Sequence, residues 1–151
     1  MRESRYGIHD ISLVKSQKEN EYARMNMPFE LGIDYGLRKF GGEKYKGKKF
    51  LILGGKKYDH LPAISDINGM DIMCHDNETL TLIQTLRKWF SSVLNIKDQP
   101  PPSKLSSEYF EFQTALFEKM TQKHGNEILD KEVVANLTNT EFISEINQAC
   151  Q

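Results

Sequence analysis

Phe50-Leu51-Ile52-Leu53, closed by Gly54-Gly55, is the stretch that decides the fold. Four apolar residues without a polar interruption read as a strand buried on both faces, as in a parallel sheet with helices on each side. Upstream, Tyr6-Gly7-Ile8-His9-Asp10-Ile11 reads as a second short strand that runs into the polar stretch Ser12 to Glu21. Between the two, Asn26 and Pro28 announce a helix, because asparagine caps well and proline is tolerated only in a first turn. Phe29, Ile33, Leu37 and Phe40 follow at helical spacing and predict one apolar stripe, stopped by Gly41-Gly42. Gly32 and Gly36 lie four apart and predict a point of close approach for a backbone or a ligand.

Downstream, Asp66 to Met73 reads as a turn and a short third strand. Asn77-Glu78 then opens a helix with Leu82, Ile83, Leu86, Phe90, Val93 and Leu94 on one face and Trp89 at its flank. Strand, helix, strand, short strand and helix in this order predict an α/β domain over residues 1–97, a small, mostly parallel, Rossmann-like sheet with flanking helices. The proline-rich stretch 98–105 reads as a stiff linker, and 106–151 as a C-terminal helical appendage. In that appendage Tyr109, Phe112, Leu116, Phe117 and Met120 mark one helix ending at Gly125, and Val133, Val134 and Leu137 mark another. A last helix carries Phe142, Ile143 and Ile146 behind the capping box Thr138-Asn139-Thr140-Glu141.

The chain has 151 residues, 38% hydrophobic and 27% charged, which is enough apolar material for one domain core. Its 20 basic and 21 acidic residues leave a net charge of −1, so no global field gathers nucleic acid or an anionic membrane. Cys74 and Cys150 are too far apart in sequence to suggest a disulfide framework or a metal-binding pair. No stretch approaches the ~18 apolar residues of a membrane span, and the charged start Met1 to Arg5 has no apolar signal region behind it. A cytoplasmic location without membrane contact is therefore expected. Lys44, Lys46, Lys48, Lys49, Lys56 and Lys57 predict a solvated basic patch, with nucleic acid only a minor alternative because few aromatic residues accompany them. Gly42-x-x-x-x-Gly47-Lys48 spells a Walker loop superficially, but Lys49 replaces the required hydroxyl residue and the segment precedes its strand. The histidines His9, His60, His75 and His124 predict no metal site, since the neighbours Cys74, His75 and Asp76 would point to alternating sides of a strand.

The segments with chemical content are Ile8-His9-Asp10-Ile11-Ser12 and Asn26-Met27-Pro28-Phe29-Glu30-Leu31-Gly32. In a parallel α/β sheet the end of a strand and the start of the following helix face one crevice, so Asp10 and Glu30 are expected to line it. A carboxylate in a first helical turn is held ionised by the helix dipole, which suits it to stabilise an oxocarbenium ion or attack an anomeric carbon. Asp10 then suits a ribose hydroxyl or the orientation of Glu30. A glutamate behind an asparagine cap is equally ordinary helix chemistry, and a strand-end aspartate an ordinary turn residue. The residues by themselves leave both readings open.

The pattern of a strand ending in Asp10-Ile11-Ser12, a helix opened by Asn26-x-x-Phe29-Glu30-Leu31-Gly32, and an apolar strand resembles a known superfamily. That superfamily joins nucleoside 2-deoxyribosyltransferases, TIR-like domains and related bacterial nucleotide-binding proteins, and the resemblance covers residues 5–54. It implies that Glu30 takes the place of the glutamate that breaks or exchanges N-glycosidic bonds of nucleosides, nucleotides or NAD. By the same resemblance Asp10 is the strand-end aspartate and Asn26 the polar residue before the helix, with His9, Ser12 and Gly32 as ligand-binding neighbours. No cofactor is implied, because a nucleotide or NAD would enter as substrate. Members usually carry a further strand, helix and strand upstream. The chain is accordingly expected to form a homo-oligomer, to have its sheet completed by a partner, or to be part of a longer polypeptide. The alternative function is a non-catalytic nucleotide-binding or assembly module.

Overall fold

A computed structural model describes residues 3–16, 23–124 and 139–149. The chain divides into two compact units, Met1–Gln99 and Pro100–Gln151. In the first, β1 (Tyr6–Asp10), β2 (Lys49–Gly54) and β3 (Ile72–Cys74) form one parallel sheet in the order β1-β2-β3. Two helices accompany it, α1 (Asn26–Phe40) and α2 (Thr79–Leu94). This is the small parallel α/β architecture that the apolar run Phe50 to Leu53 predicts.

β2 shows why that run is continuous. Ile52 packs with Ile11, Val14, Leu31 and Ile67 on one face, whereas Leu51 and Leu53 pack with Trp89 on the other. Side chains alternate across a strand, so the central strand must be apolar at every position to supply two cores. Both crossovers, through α1 and through the segment carrying Ile67, contribute to the same core, and α2 covers the opposite one. Crossovers of one hand along a sheet that grows in one direction have to share a face.

The two helices depart from their expected faces in different degrees. In α2, Trp89 is no flank: only 6% exposed, it sits at the centre of its core among Leu51, Leu53, Leu82 and Leu86. Its ring meets Tyr6 of β1 edge-on at 6.5 Å. In α1 the expected stripe is turned to solvent, with Phe29 70% and Phe40 78% exposed, while Leu31 and Asp34 are buried. Gly32 and Gly36 correct a second expectation, because among the described residues nothing beyond their own helix backbone and chain neighbours lies within 4 Å of where a Cβ would stand on either. The close approach occurs instead at Gly7 of β1, where an added Cβ would meet Asp34 Oδ2 at 2.8 Å. The cap is corrected too: Met25 holds the cap position without a side-chain bond, and Asn26 is the first helical residue.

In the second unit, α3 (Pro102–His124) begins inside the stretch read as linker, with proline at the first helical position where its fixed φ and missing N–H are harmless. Leu116 is buried, and Phe112 meets Phe142 of α4 (Asn139–Ala149) edge-on at 6.2 Å. Lys119 pairs with Glu145 and donates to Gln148 Oε1 at 2.8 Å. The stop at Gly125, the expected helix with Val133, Val134 and Leu137, and Thr138 of the capping box lie outside the described residues. No described helix is long and apolar enough to cross a membrane.

Candidate functional site

The carboxyl edge of the sheet gathers three strand ends. Beyond β1, Asp10 Oδ1 accepts the Ser12 N–H at 2.9 Å, which folds the chain into a side-chain-closed turn. Beyond β2, the buried Gly55 leaves room for its neighbours, since a Cβ there would lie 3.3 Å from Asn77 Oδ1 and 3.6 Å from Ser12 Cβ. Beyond β3, His75 N–H and Asp76 N–H donate to Gly54 O and Gly55 O at 3.1 and 2.8 Å. Asp76 and Asn77 then take left-handed backbone angles, φ 55° and 59°, which their short polar side chains tolerate best after glycine.

His75 is the chemically unusual member. Its Nδ1 accepts the Asn77 N–H at 3.1 Å, so the proton of the neutral ring lies on Nε2. Nε2 is buried, has no hydrogen-bond partner among the described residues, and lies 3.5 Å from Asp10 Oδ1, beyond a good hydrogen bond. The Asp10 side chain is 43% exposed against 7% for His75. The edge thus presents an accessible carboxylate beside a buried donor still short of an acceptor, and such a donor carries a penalty that a ligand oxygen relieves. The sequence singled out His75 only as a metal-ligand candidate, a reading set aside, and gave no sign of its place beside Asp10. Its place follows from a three-residue strand whose register with β2 sets its end beside Asp10.

The other expected site residues are placed as follows. Ser12 joins Asp10 through its backbone N–H. Asn26 is exposed at the start of α1. Gly32 faces open space. Glu30 is half-buried and is the fifth residue of α1, whose first turn holds no acidic residue, so the dipole argument for it loses its basis. It stands one turn before Asp34, on the face of the sheet to which His9 points. Asp10, one residue beyond His9, leaves β1 on the opposite face, and no hydrogen bond or ion pair among the described residues joins it to Glu30.

His9 belongs to a buried ionic cluster. Its Nε2 lies 3.1 Å from Asp34 Oδ2, and Lys48 Nζ forms an ion pair with Asp34 Oδ1 at 3.2 Å. The exposures of His9, Asp34 and Lys48 are 3%, 3% and 5%, and Lys48 also donates to the Ser4 carbonyl. Lys48 is therefore no part of a solvated patch. A buried carboxylate recruits cations because an unpaired one costs several kcal/mol, roughly, and this recruitment ties α1, β1 and the entry to β2 together.

Burial, with the carboxylates of Asp76 and Asp59 adding to it, pushes the Cys74 thiol above its ordinary range, so it stays protonated at neutral pH. Among the described residues no group of His, Cys, Asp and Glu side chains is arranged to hold a metal ion. The fold and this edge define a small parallel α/β protein with a polar rim at the carboxyl ends of its strands. No protein family, curated protein or solved structure matches the chain.

Proposed function

We propose that the chain binds a nucleoside or nucleotide at the carboxyl edge of its sheet. Asp10 accepts from the sugar hydroxyls, and His75 Nε2 donates to the same sugar or to an adjoining oxygen. The observation that carries this reading is the buried, unpartnered Nε2 of His75 beside the half-exposed Asp10 carboxylate. The class of fold supports it, because open parallel sheets bind ligands outside the carboxyl ends of their strands. The Asp10 to Glu30 sequence pattern supports the sugar in particular, and extends the reading to cleavage or exchange of the N-glycosidic bond with Glu30 as nucleophile or charge stabiliser. Cleavage then requires the bound sugar to reach over the edge from the Asp10 face to the Glu30 face.

Incubation with NAD and a panel of nucleosides and nucleotides, following both retention of ligand and release of free base, tests the two levels separately. Asp10→Asn is expected to weaken binding about tenfold or more, as for loss of a charged acceptor. Glu30→Gln is expected to retain binding and lose base release. A folded wild-type chain that retains no member of the panel sinks the binding reading, and retention without release by wild type sinks only the catalytic one.

A second reading, assembly through the sheet, is favoured by the outer edge of β1. Lys49 N–H donates to Arg5 O and Ile11 N–H to Leu53 O, so the odd residues of β1 face β2 and the even ones turn their backbone groups outward. Tyr6 and Ile8 on that edge are 41% and 43% exposed. Among the described residues only Ser4 Oγ, which donates to Tyr6 O, partners this edge, and an edge without a neighbouring strand templates a further one, from a second copy or another protein. Light scattering at micromolar concentration, with Ile8→Lys as comparison, tests self-assembly, and a stable wild-type monomer removes it.

A further inference from the structure

The other edge of the sheet carries a different signal. β3 is only three residues long, and beside it runs a groove of ≈ 890 Å³ reaching from Lys49, where β2 starts, to Cys74, where β3 ends. Lys49 to Gly54 spans about 16 Å at the rise of a strand, so the groove has the length of an ordinary edge strand. His75 N–H donates to Gly54 O, which sets the odd residues of β3 toward β2. The N–H and C=O groups of Ile72 and Cys74 consequently point away from β2, into the groove.

The charges along this edge are mostly positive. Arg38 from α1, Lys49 from β2 and Lys88 from α2 line the groove with Lys57, against Asp71 as the single lining acid. Arg38 and Lys88 belong to helices on opposite faces of the sheet, so consecutive side chains of an added strand, which alternate between faces, would each meet a cation. At the far end Cys74 feels the lining Lys57 together with Asp59 and Asp76 from outside the lining, so that end is mixed in charge where the Arg38, Lys49 and Lys88 end is mostly positive. Single-stranded nucleic acid needs exposed rings on which to stack. Here Trp89 is 6% exposed and Phe50 is covered by Arg38 at 4.2 Å, which leaves Tyr58 as the exposed ring of the lining.

We infer that this groove takes an extended peptide segment of a partner protein, added as a strand beside β3, with acidic residues at the end that meets Arg38, Lys49 and Lys88. Backbone bonds to Ile72 and Cys74 hold the segment and the cations set its direction. The inference is independent of the nucleotide reading, which concerns the carboxyl edge.

The test is fluorescence anisotropy with a labelled peptide of about eight residues, two glutamates followed by alternating valine and threonine, titrated with the full chain. Saturable binding is expected, weakened about tenfold or more by Lys88→Glu and by replacing the glutamates with lysines, and abolished by N-methylation of alternate backbone amides. Lys88 is exposed, so Lys88→Glu leaves the fold intact, as circular dichroism would verify. Absence of saturable binding overturns the proposal, and so does equal binding of the N-methylated peptide. Preferential binding of a thymidine oligonucleotide that displaces the peptide also overturns it.

Discussion

Helices α1 and α2 flank the same sheet and contribute to its two cores, yet they bury opposite kinds of residue. α2 puts Trp89 and its leucines against Leu51 and Leu53, as an amphipathic helix should. α1 buries Asp34 beside Leu31 and leaves Phe29 and Phe40 in solvent. Apolar spacing therefore locates a helix without always orienting it. With Asp34 inside between His9 and Lys48, α1 forgoes up to ~3 kcal/mol for each exposed ring, whereas parting the cluster would strand buried charges at about 3–5 kcal/mol.

The largest effects should come from breaking each helix at its anchor. Trp89→Ala is expected to cost about 3–5 kcal/mol in urea unfolding through the cavity left over Leu51 and Leu53. Asp34→Ala is expected to cost a similar ~3–5 kcal/mol, by leaving Lys48 buried without its acid. Replacing His9, Asp34 and Lys48 together with apolar residues of matched volume should recover most of that loss; if it does not, the cluster contributes stability of its own and more than mutual compensation. A smaller loss, roughly 1–3 kcal/mol, is expected for Gly7→Ala, whose Cβ would press on Asp34 Oδ2 and His9 Nε2.

The smallest effects are expected on the outer face of α1. Gly32→Ala should raise stability by about 0.5–1 kcal/mol, since the added methyl meets nothing and glycine is a poor helix residue. Phe40→Lys should change stability by less than about 0.5 kcal/mol. A clear loss at Phe40, growing with protein concentration, would mean that another copy covers this stripe in solution.

The carboxyl edge was partly legible. Asp10 was readable because it ends a strand recognisable by its apolar residues, and Ser12 follows from it through the turn. His75 was not, because a three-residue strand carries no periodicity of its own and the histidine's meaning depends on which strand end lies next to it. Glu30 was visible as part of a helix start, but its position five residues into α1 and on the other face from Asp10 emerges only in three dimensions.

The linear pattern alone fixes the parallel α/β class, through the uninterrupted apolar run of β2, and each strand and α-helix of the first unit to within a few residues. Those signals are local, written in periodicity and in turn residues. The tertiary structure alone decided which face of α1 is inside, that Lys48 is buried, and that His75 stands beside Asp10 with an unmet donor. Each of these depends on a charge or a hydrogen bond between residues distant in the chain. The free energy of such a contact depends on what lies opposite, and a linear pattern does not encode that.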